Sequence, residues 1–178
     1  MKKDRRKPIT LLKFKWENKR KEDKMKQNKK GYFGIGIENV KTTTNIGTLW
    51  RSAYLMGADF IFTIGNRYKH QPSDTLKAPK NIPLFQYDDL THFEDNLPDS
   101  CKVIGIELDS KAKLLHEYKH ERCCIYLLGA EDYGLSKEAL LLCDDLIQIE
   151  YPRPVASLNV STAGSIIMYD RNSKRFKI

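Results

Sequence analysis

Long apolar runs are absent from this chain of 178 residues. The longest, such as Cys123–Leu128, has the length of a β-strand and falls far short of the ~20 apolar residues that a membrane helix needs. The charged N-terminus is not followed by an apolar segment, so we expect no secretory signal and a cytoplasmic location. With 40% hydrophobic residues, a chain of this length predicts one globular domain with its own core.

Patterns that bind metals or dinucleotides are also scarce. The four cysteines form no Cys-x-x-Cys pair, and neighbouring Cys123 and Cys124 would point to opposite faces of a strand, so we interpret the cysteines as reduced core residues. His116 and His120 have the spacing of a helical pair, but no third ligand lies near them in the sequence, so we expect surface histidines and no metal. Gly34-x-Gly36 lacks the third glycine of the dinucleotide fingerprint and precedes no helix start.

Positive charge is concentrated in residues 1–30. This segment has fourteen Lys or Arg and four acidic residues, which gives +10, so residues 31–178 carry only −2 of the net +8. Such a segment attracts polyanions through counterion release, and Phe14 and Trp16 add rings that can stack on bases. We predict a basic, flexible N-terminal extension that contacts RNA. The alternative that this segment only confers solubility stays open. A membrane-surface helix is disfavoured because the apolar residues keep no single helical face.

From Gly31 onward, strand-like and helix-like segments alternate. The predicted strands are Tyr32–Ile37, Phe60–Ile64, Ile82–Gln86, Lys102–Leu108, Arg122–Leu128 and Leu146–Ile149. The predicted helices are Asn45–Met56, a helix begun by Asp88-Asp89, Lys111–Tyr118, Ser136–Cys143 and Leu158–Tyr169. Residues 67–81 are polar and contain two prolines, which indicates a loop. The alternation is typical of an α/β domain with a mostly parallel sheet and helices on both faces.

Three segments stand at strand-to-helix junctions, where open α/β sheets place their ligands. They are Asn45–Ala53 (NIGTLWRSA), Leu128–Leu135 (LGAEDYGL) and Ser157–Ala163 (SLNVSTA). Each has a plain structural explanation when taken alone: a helix cap followed by a solvated arginine, a glycine turn, and a capped helix. Their conjunction in this order is far more specific than any one of them.

Together the three segments resemble the signature motifs of the SpoU (TrmH-like) family in the SPOUT superfamily of RNA methyltransferases. The resemblance extends from Gly31 to Tyr169. It implies a C-terminal trefoil knot, S-adenosylmethionine as the cofactor, and a homodimer whose active sites are completed near the interface. It also implies 2′-O-ribose methylation of RNA, with tRNA as the first expectation and ribosomal RNA as the second.

The resemblance assigns roles by matching motif positions. The implied catalytic residues are Arg51, Asn45, Glu131, Ser157 and Asn159. The implied cofactor-binding residues are Leu128, Gly129, Ile149 and Leu158. One stretch departs from the family pattern, because Ile149-Glu150-Tyr151 replaces the usual Ile-Pro-Met and Arg153 stands at a usual glycine. We therefore expect a different shape for the cofactor loop, with Arg153 as an additional RNA contact.

Methyl transfer from a sulfonium is an in-line displacement that needs alignment and a route for the proton, but no metal. The forked guanidinium of Arg51 suits binding of a phosphate and stabilisation of a developing alkoxide, whereas an arginine is a poor base. Glu131 is expected to orient either Arg51 or the Asn45 amide. One alternative is RNA base methylation, which the presence of Asn45 and Arg51 in the first motif disfavours. The other is a catalytically silent RNA-binding or assembly factor, which the intact motifs disfavour.

Overall fold

The computed structural model describes residues 31–65, 81–152 and 157–176. The predicted extension of residues 1–30, most of the predicted loop and Arg153 lie outside these ranges. The division of the chain at residue 30 and the RNA contact by Arg153 therefore stay predictions, as does the trefoil knot.

Within the described ranges, the chain forms seven strands and four α-helices. The strands are β1 Tyr32–Glu38, β2 Phe60–Ile64, β3 Leu84–Tyr87, β4 Lys102–Ile106, β5 Lys113–Leu114, β6 Cys123–Leu128 and β7 Asp145–Gln148. The helices are α1 Thr43–Met56, α2 Leu90–Glu94, α3 Lys137–Leu142 and α4 Val160–Phe176, with a 3₁₀ turn at Leu115–Glu117. None of these helices is long and apolar enough to cross a membrane.

All seven strands belong to one sheet in the order β3-β2-β1-β6-β4-β7-β5. Each of the pairings between these strands is parallel, so their carboxyl ends lie along one edge. At the centre, β1 pairs with β6 from Tyr32 opposite Cys123 to Ile37 opposite Leu128. The predicted parallel α/β class is confirmed, and the shared edge is where ligands are expected.

One face of the sheet is covered by the two longest helices. Phe33, Ile35 and Ile37 alternate along β1 and are almost completely buried in one cluster with apolar residues of α1 and α4. The helices also bond to each other, because the Ser165 hydroxyl donates to the Ser52 hydroxyl oxygen at 2.8 Å. Burial of apolar surface on this face supplies much of the stability of the fold.

The opposite face is packed by aromatic rings. A Cβ atom on Gly34 or on Gly36 would lie 2.3 Å from an atom of Phe60 or of Phe62, respectively. These glycines therefore make room for rings inside a strand, which agrees with the absence of a dinucleotide fingerprint. Phe62 stacks on Phe93 of α2, with ring centroids 4.9 Å apart. The prediction of helices on both faces is confirmed.

Several predicted helix ends are confirmed by their capping residues. Gly57 ends α1 with a φ of 77°, a left-handed conformation that glycine adopts without strain. The Asp89 side chain accepts a hydrogen bond from the His92 N–H at 2.7 Å at the start of α2. The Ser136 hydroxyl oxygen accepts from the Ala139 N–H at 3.1 Å at the start of α3.

The predicted helix Lys111–Tyr118 is wrong. Ala112, Leu115 and Tyr118 are buried at intervals of three residues, a spacing that resembles a helical face. The chain instead forms strand β5, which pairs with β7, and then the 3₁₀ turn. Pairing with a distant strand decides the outcome here, and local periodicity does not reveal that pairing.

The predicted surface position of His120 is also wrong. Only 5% of its side chain is exposed, whereas His116 is exposed and pairs with Glu150. The His120 Nδ1 lies 2.5 Å from the Tyr126 hydroxyl, and its Nε2 lies 2.7 Å from Asp170 Oδ2 on α4. The histidine therefore ties the last helix to the centre of the sheet.

Two predicted boundaries shift for local reasons. Strand β3 begins at Leu84 rather than Ile82, because Pro83 between them has no N–H to donate to the sheet. The last helix begins at Val160 rather than Leu158, because the Asn159 side chain caps it, accepting from the N–H groups of Ser161 and Thr162 at 3.0 and 3.3 Å.

Candidate active site

A cleft of about 300 Å³ lies at the carboxyl edge of the sheet. It is formed by the segments that follow β4, β6 and β7 and by the start of α4. The position agrees with the rule that open parallel sheets bind ligands beyond the carboxyl ends of their strands. Its size is at the lower end of the range typical of small-molecule sites.

The cleft brings together every residue predicted to bind the cofactor. Leu128, Gly129, Ile149 and Leu158 all line it, although they come from three separate parts of the chain. Leu128 is buried, Ile149 is half-buried, and Leu158 is 37% exposed at the rim. The floor is therefore apolar and the rim is open to solvent.

One wall of the cleft is the turn from Gly129 to Leu135. Ala130 and Gly134 exchange two backbone hydrogen bonds, of 3.0 and 2.9 Å. A Cβ atom on Gly129 would lie 1.9 Å from the carbonyl carbon of Gly134, so only glycine permits this close backbone approach. Gly134 has a φ of 68°, which also favours glycine.

Two carboxylates from the strands on either side of β6 brace this turn. Glu107, directly after β4, accepts from the Leu135 N–H at 2.7 Å. Glu38, the last residue of β1, is buried and accepts from the Ser136 N–H at 2.9 Å and the Ser136 hydroxyl at 2.6 Å. Hydrogen bonds to charged acceptors are stronger than neutral ones, so the turn is held firmly against the sheet.

A chain of side-chain hydrogen bonds joins the three sequence motifs. The Asn159 amide donates to Asn45 Oδ1 at 3.0 Å, and the Asn45 amide donates to Glu131 Oε1 at 2.5 Å. The amide orientations are fixed, because Asn159 Oδ1 already accepts from backbone N–H groups of α4. We name Glu131, Asn45 and Asn159 the relay.

The carboxylate end of the relay is stabilised in its charged form. Burial works to raise the pKa of Glu131, but hydrogen bonds from its own backbone, from the Lys41 N–H and from Asn45 outweigh this and hold the pKa below its usual value. Lys41 also forms an ion pair with the neighbouring Asp132. Glu131 therefore accepts a hydrogen bond from the Asn45 amide, which supports the second of the two roles expected for it.

The structure does not bring Arg51 into this group. It is exposed on α1, and it makes no hydrogen bond or ion pair with any other described residue. It lies six positions after Asn45, which places the two side chains on different sides of the helix. Ser157 is exposed and lines the cleft, whereas Arg51, Asn45 and Asn159 do not line it.

The charge of the lining favours a cationic ligand. Among the described lining residues the charged ones are all acidic, namely Glu107, Glu131 and Asp132. No group of three or more His, Cys, Asp or Glu in the described ranges has an arrangement that could hold a metal ion. An apolar floor with acidic walls suits an organic cation better than a phosphate-bearing cofactor.

Several residues of the site were missed at the sequence level. Glu107 and Lys41 follow β4 and β1 at their carboxyl ends, so their chain position was a usable signal. Glu38, the last residue of β1, offered the same signal of position, whereas its bonds to Ser136 depend on how β1 and the turn are packed.

These features define a parallel α/β domain with a cleft at its carboxyl edge, which two of the three motif segments line and which the relay joins to the third. Residues 33–169 match the SpoU rRNA Methylase family, and the chain belongs to that family.

Similar proteins carry related names. The chain is 25% identical over 164 residues to the 23S rRNA (guanosine-2′-O-)-methyltransferase RlmB of Acinetobacter baylyi, which covers 89% of this chain and 66% of that protein. It is 25% identical over 147 residues to the tRNA (guanosine(18)-2′-O)-methyltransferase of Escherichia coli, covering 79% of this chain and 63% of that protein. The chain thus spans less than two thirds of the length of these relatives.

The fold is also similar to that of solved structures. The SpoU methyltransferase AviRb from Streptomyces viridochromogenes, in complex with the cofactor AdoMet, superposes with a TM-score of 0.73 at 20% identity. That match covers 83% of this chain and 59% of AviRb.

Proposed function

We propose that this protein is an S-adenosylmethionine-dependent RNA 2′-O-ribose methyltransferase. Its proposed substrate is tRNA, with ribosomal RNA as the second candidate. The observation that carries the proposal is the relay, because it joins three residues with implied catalytic roles beside a cleft that collects the four implied cofactor residues. The names of the two relatives support both the reaction and the two classes of RNA.

The lining residues fit the proposed cofactor. S-adenosylmethionine carries a positive sulfonium and an ammonium group, which suit the acidic side chains of Glu107 and Glu131. Its adenine would rest on the apolar floor that includes Leu128 and Ile149, and the tight turn at Gly129 offers backbone groups to hydrogen-bond its edge.

When bound, the cofactor would supply a methyl group already activated by the sulfonium. Glu131 would keep the Asn45 amide in one orientation, and Asn45 would in turn hold Asn159 at the start of α4. Arg51, with its guanidinium donors free among the described residues and exposed, would bind the phosphate beside the target ribose and stabilise charge on the attacking oxygen. Ser157 on the cleft wall would contact the ribose near the transferred methyl.

We further propose that the protein is a cytoplasmic homodimer. Exposed apolar side chains on α1 and α4, namely Leu55 at 65% and Tyr169 at 64%, offer a surface that a second copy could cover. The family resemblance implies that such a dimer completes each active site. Light scattering at micromolar concentration should give twice the mass of the chain, and a monomer would contradict the proposal.

The test of the activity is to map 2′-O-methyl groups on total RNA from cells with and without the gene. We expect at least one position, in a tRNA or a ribosomal RNA, to lose its methyl group when the gene is deleted. Calorimetry on the purified protein should show binding of S-adenosylhomocysteine with the same affinity in the presence of a chelator. An unchanged methylation map together with no cofactor binding would contradict the proposal.

A further inference from the structure

Tyr133 is exposed at the border of the cleft. Its 90% exposure is the largest among the described large hydrophobic side chains. Single exposed rings are common on protein surfaces, so exposure alone does not define a site. The informative feature is the place of this ring, since Tyr133 lies in the turn that forms one wall of the cleft.

The turn holds Tyr133 on a firm support. The backbone pair between Ala130 and Gly134 closes the turn directly around it. The other two side chains of the tip are engaged, because Glu131 accepts from Asn45 and Asp132 pairs with Lys41. Tyr133 makes no hydrogen bond or ring contact with another described residue. Its backbone is therefore fixed while its ring is exposed beside the cleft, which lowers the entropic cost of binding a partner.

The charge around Tyr133 restricts what that partner can offer. Glu131 and Asp132 precede it directly, and carboxylates repel phosphate groups. An RNA contact at this turn would therefore use the flat face of a base rather than the backbone. Aromatic side chains stack on unpaired bases irrespective of their sequence, because every base presents a π-face.

We propose that Tyr133 is a positioning residue that stacks on the base of the target nucleotide while its ribose is presented to the cleft. The inference rests on the proposed methyltransferase function and names a substrate contact that the relay does not supply. The ring face carries the contact, so phenylalanine serves equally well at this position and alanine does not.

The experiment compares Tyr133→Ala and Tyr133→Phe with the wild type. The control is Leu141→Ala, which removes an 88% exposed apolar side chain of α3 that does not line the cleft. Single-turnover methylation is followed against the concentration of total tRNA from a strain that lacks the gene. We expect Tyr133→Ala to raise the half-saturating concentration about tenfold, which corresponds to about 1.4 kcal/mol and lies within the range for stacking on one base. Tyr133→Phe and the control should stay within about twofold of the wild type, and the affinity for S-adenosylhomocysteine should be unchanged throughout.

The proposal is overturned if Tyr133→Ala matches the wild type, if Tyr133→Phe is as weak as Tyr133→Ala, or if Tyr133→Ala loses cofactor affinity. If the wild type itself transfers no methyl group, the proposed function fails and the stack is tested by equilibrium binding of the same tRNA. In that case Tyr133→Ala should still bind about tenfold more weakly with an unchanged salt dependence, because the ring carries no charge. Equal affinities would overturn the stacking contact.

Discussion

Arg51 combines an implied catalytic role with an exposed position on α1, outside the relay. Such a position predicts that its loss affects turnover much more than folding, because an exposed side chain contributes little to the core. An arginine that only supports the helix surface would instead tolerate replacement with nearly normal turnover. The two explanations differ enough to be separated by one pair of variants.

Arg51→Ala should slow the chemical step by about 10²–10³, which corresponds to roughly 3–4 kcal/mol for one preorganised donor to a developing oxyanion. Arg51→Lys should recover little of this, since a point charge cannot reproduce the guanidinium fork. Single-turnover methylation beside a cofactor titration measures the effect. Lys119→Ala removes the same charge at another exposed position and is expected to be neutral. Near-normal rates in Arg51→Ala would remove Arg51 from the proposed mechanism.

His120 predicts a dependence of stability on pH. Burial lowers its pKa below the usual ~6.5, although Asp170 works in the opposite direction. Between the folded and the unfolded pKa, the unfolded chain binds more protons, so protonation favours unfolding. The contribution of His120 to stability is therefore complete above about pH 6.5 and is lost as the pH falls through the folded pKa.

Urea unfolding at pH 7.5 and at pH 5.5 tests this effect. The free energy of unfolding of the wild type should decrease at the lower pH, and His120→Gln should reduce that decrease. His116→Gln replaces an exposed histidine and should leave the decrease in place. The same pH dependence in wild type and His120→Gln would show that other groups cause it.

The turn from Gly129 to Leu135 is the element on which the cleft depends. In Gly129→Ala the new Cβ would meet the backbone of Gly134 and Leu135 at 1.9 and 2.2 Å, and neither can move without opening the turn. We expect a loss of stability of about 1–3 kcal/mol, as for other overpacked sites, and cofactor binding at least tenfold weaker.

The matched control for this glycine is Gly57→Ala. Gly57 has a positive φ, but among the described residues no atom outside its chain neighbours lies within 4 Å of the position that a Cβ would take, so alanine there brings backbone strain without a clash. The Gly57→Ala variant should therefore be less stable than the wild type and should bind the cofactor with unchanged affinity. Chemical denaturation and calorimetry on both variants give the two quantities. Normal cofactor affinity in Gly129→Ala would contradict a role of the close backbone approach in shaping the cleft.

Elements whose pattern is local could be predicted from the sequence. Strand β6 is a continuous apolar run and α1 ends at a glycine, and both were found with nearly correct bounds. Strand β5 was missed, because it exists only through its pairing with β7. The residues of the relay could be named by motif resemblance, whereas their bonding order depends on rotamers and packing that no local pattern encodes.

At the scale of the whole molecule, the charge distribution predicts how RNA binding responds to salt. Residues 1–30 carry +10, whereas residues 31–178 carry −2. Removing residues 1–30 should weaken RNA binding and flatten the slope of log affinity against log salt, because fewer counterions are released. Cofactor affinity should not change, since the described residues that line the cleft begin at Ile106. The same slope with and without this segment would show that it does not contact RNA.

The order of the strands in the sheet determines when each strand can pair during synthesis of the chain. Strand β1 can pair with β2 soon after both have been made, but its other neighbour, β6, lies about 90 residues later. At about 5–20 residues per second, the ribosome needs roughly 5–20 s to make the residues between β1 and β6. During this interval one edge of β1 lacks its native neighbour, and an unpaired strand edge is prone to wrong pairing. The cleft needs β4, β6, β7 and the start of α4, so the proposed cofactor could stabilise the protein only after nearly the whole chain has been made.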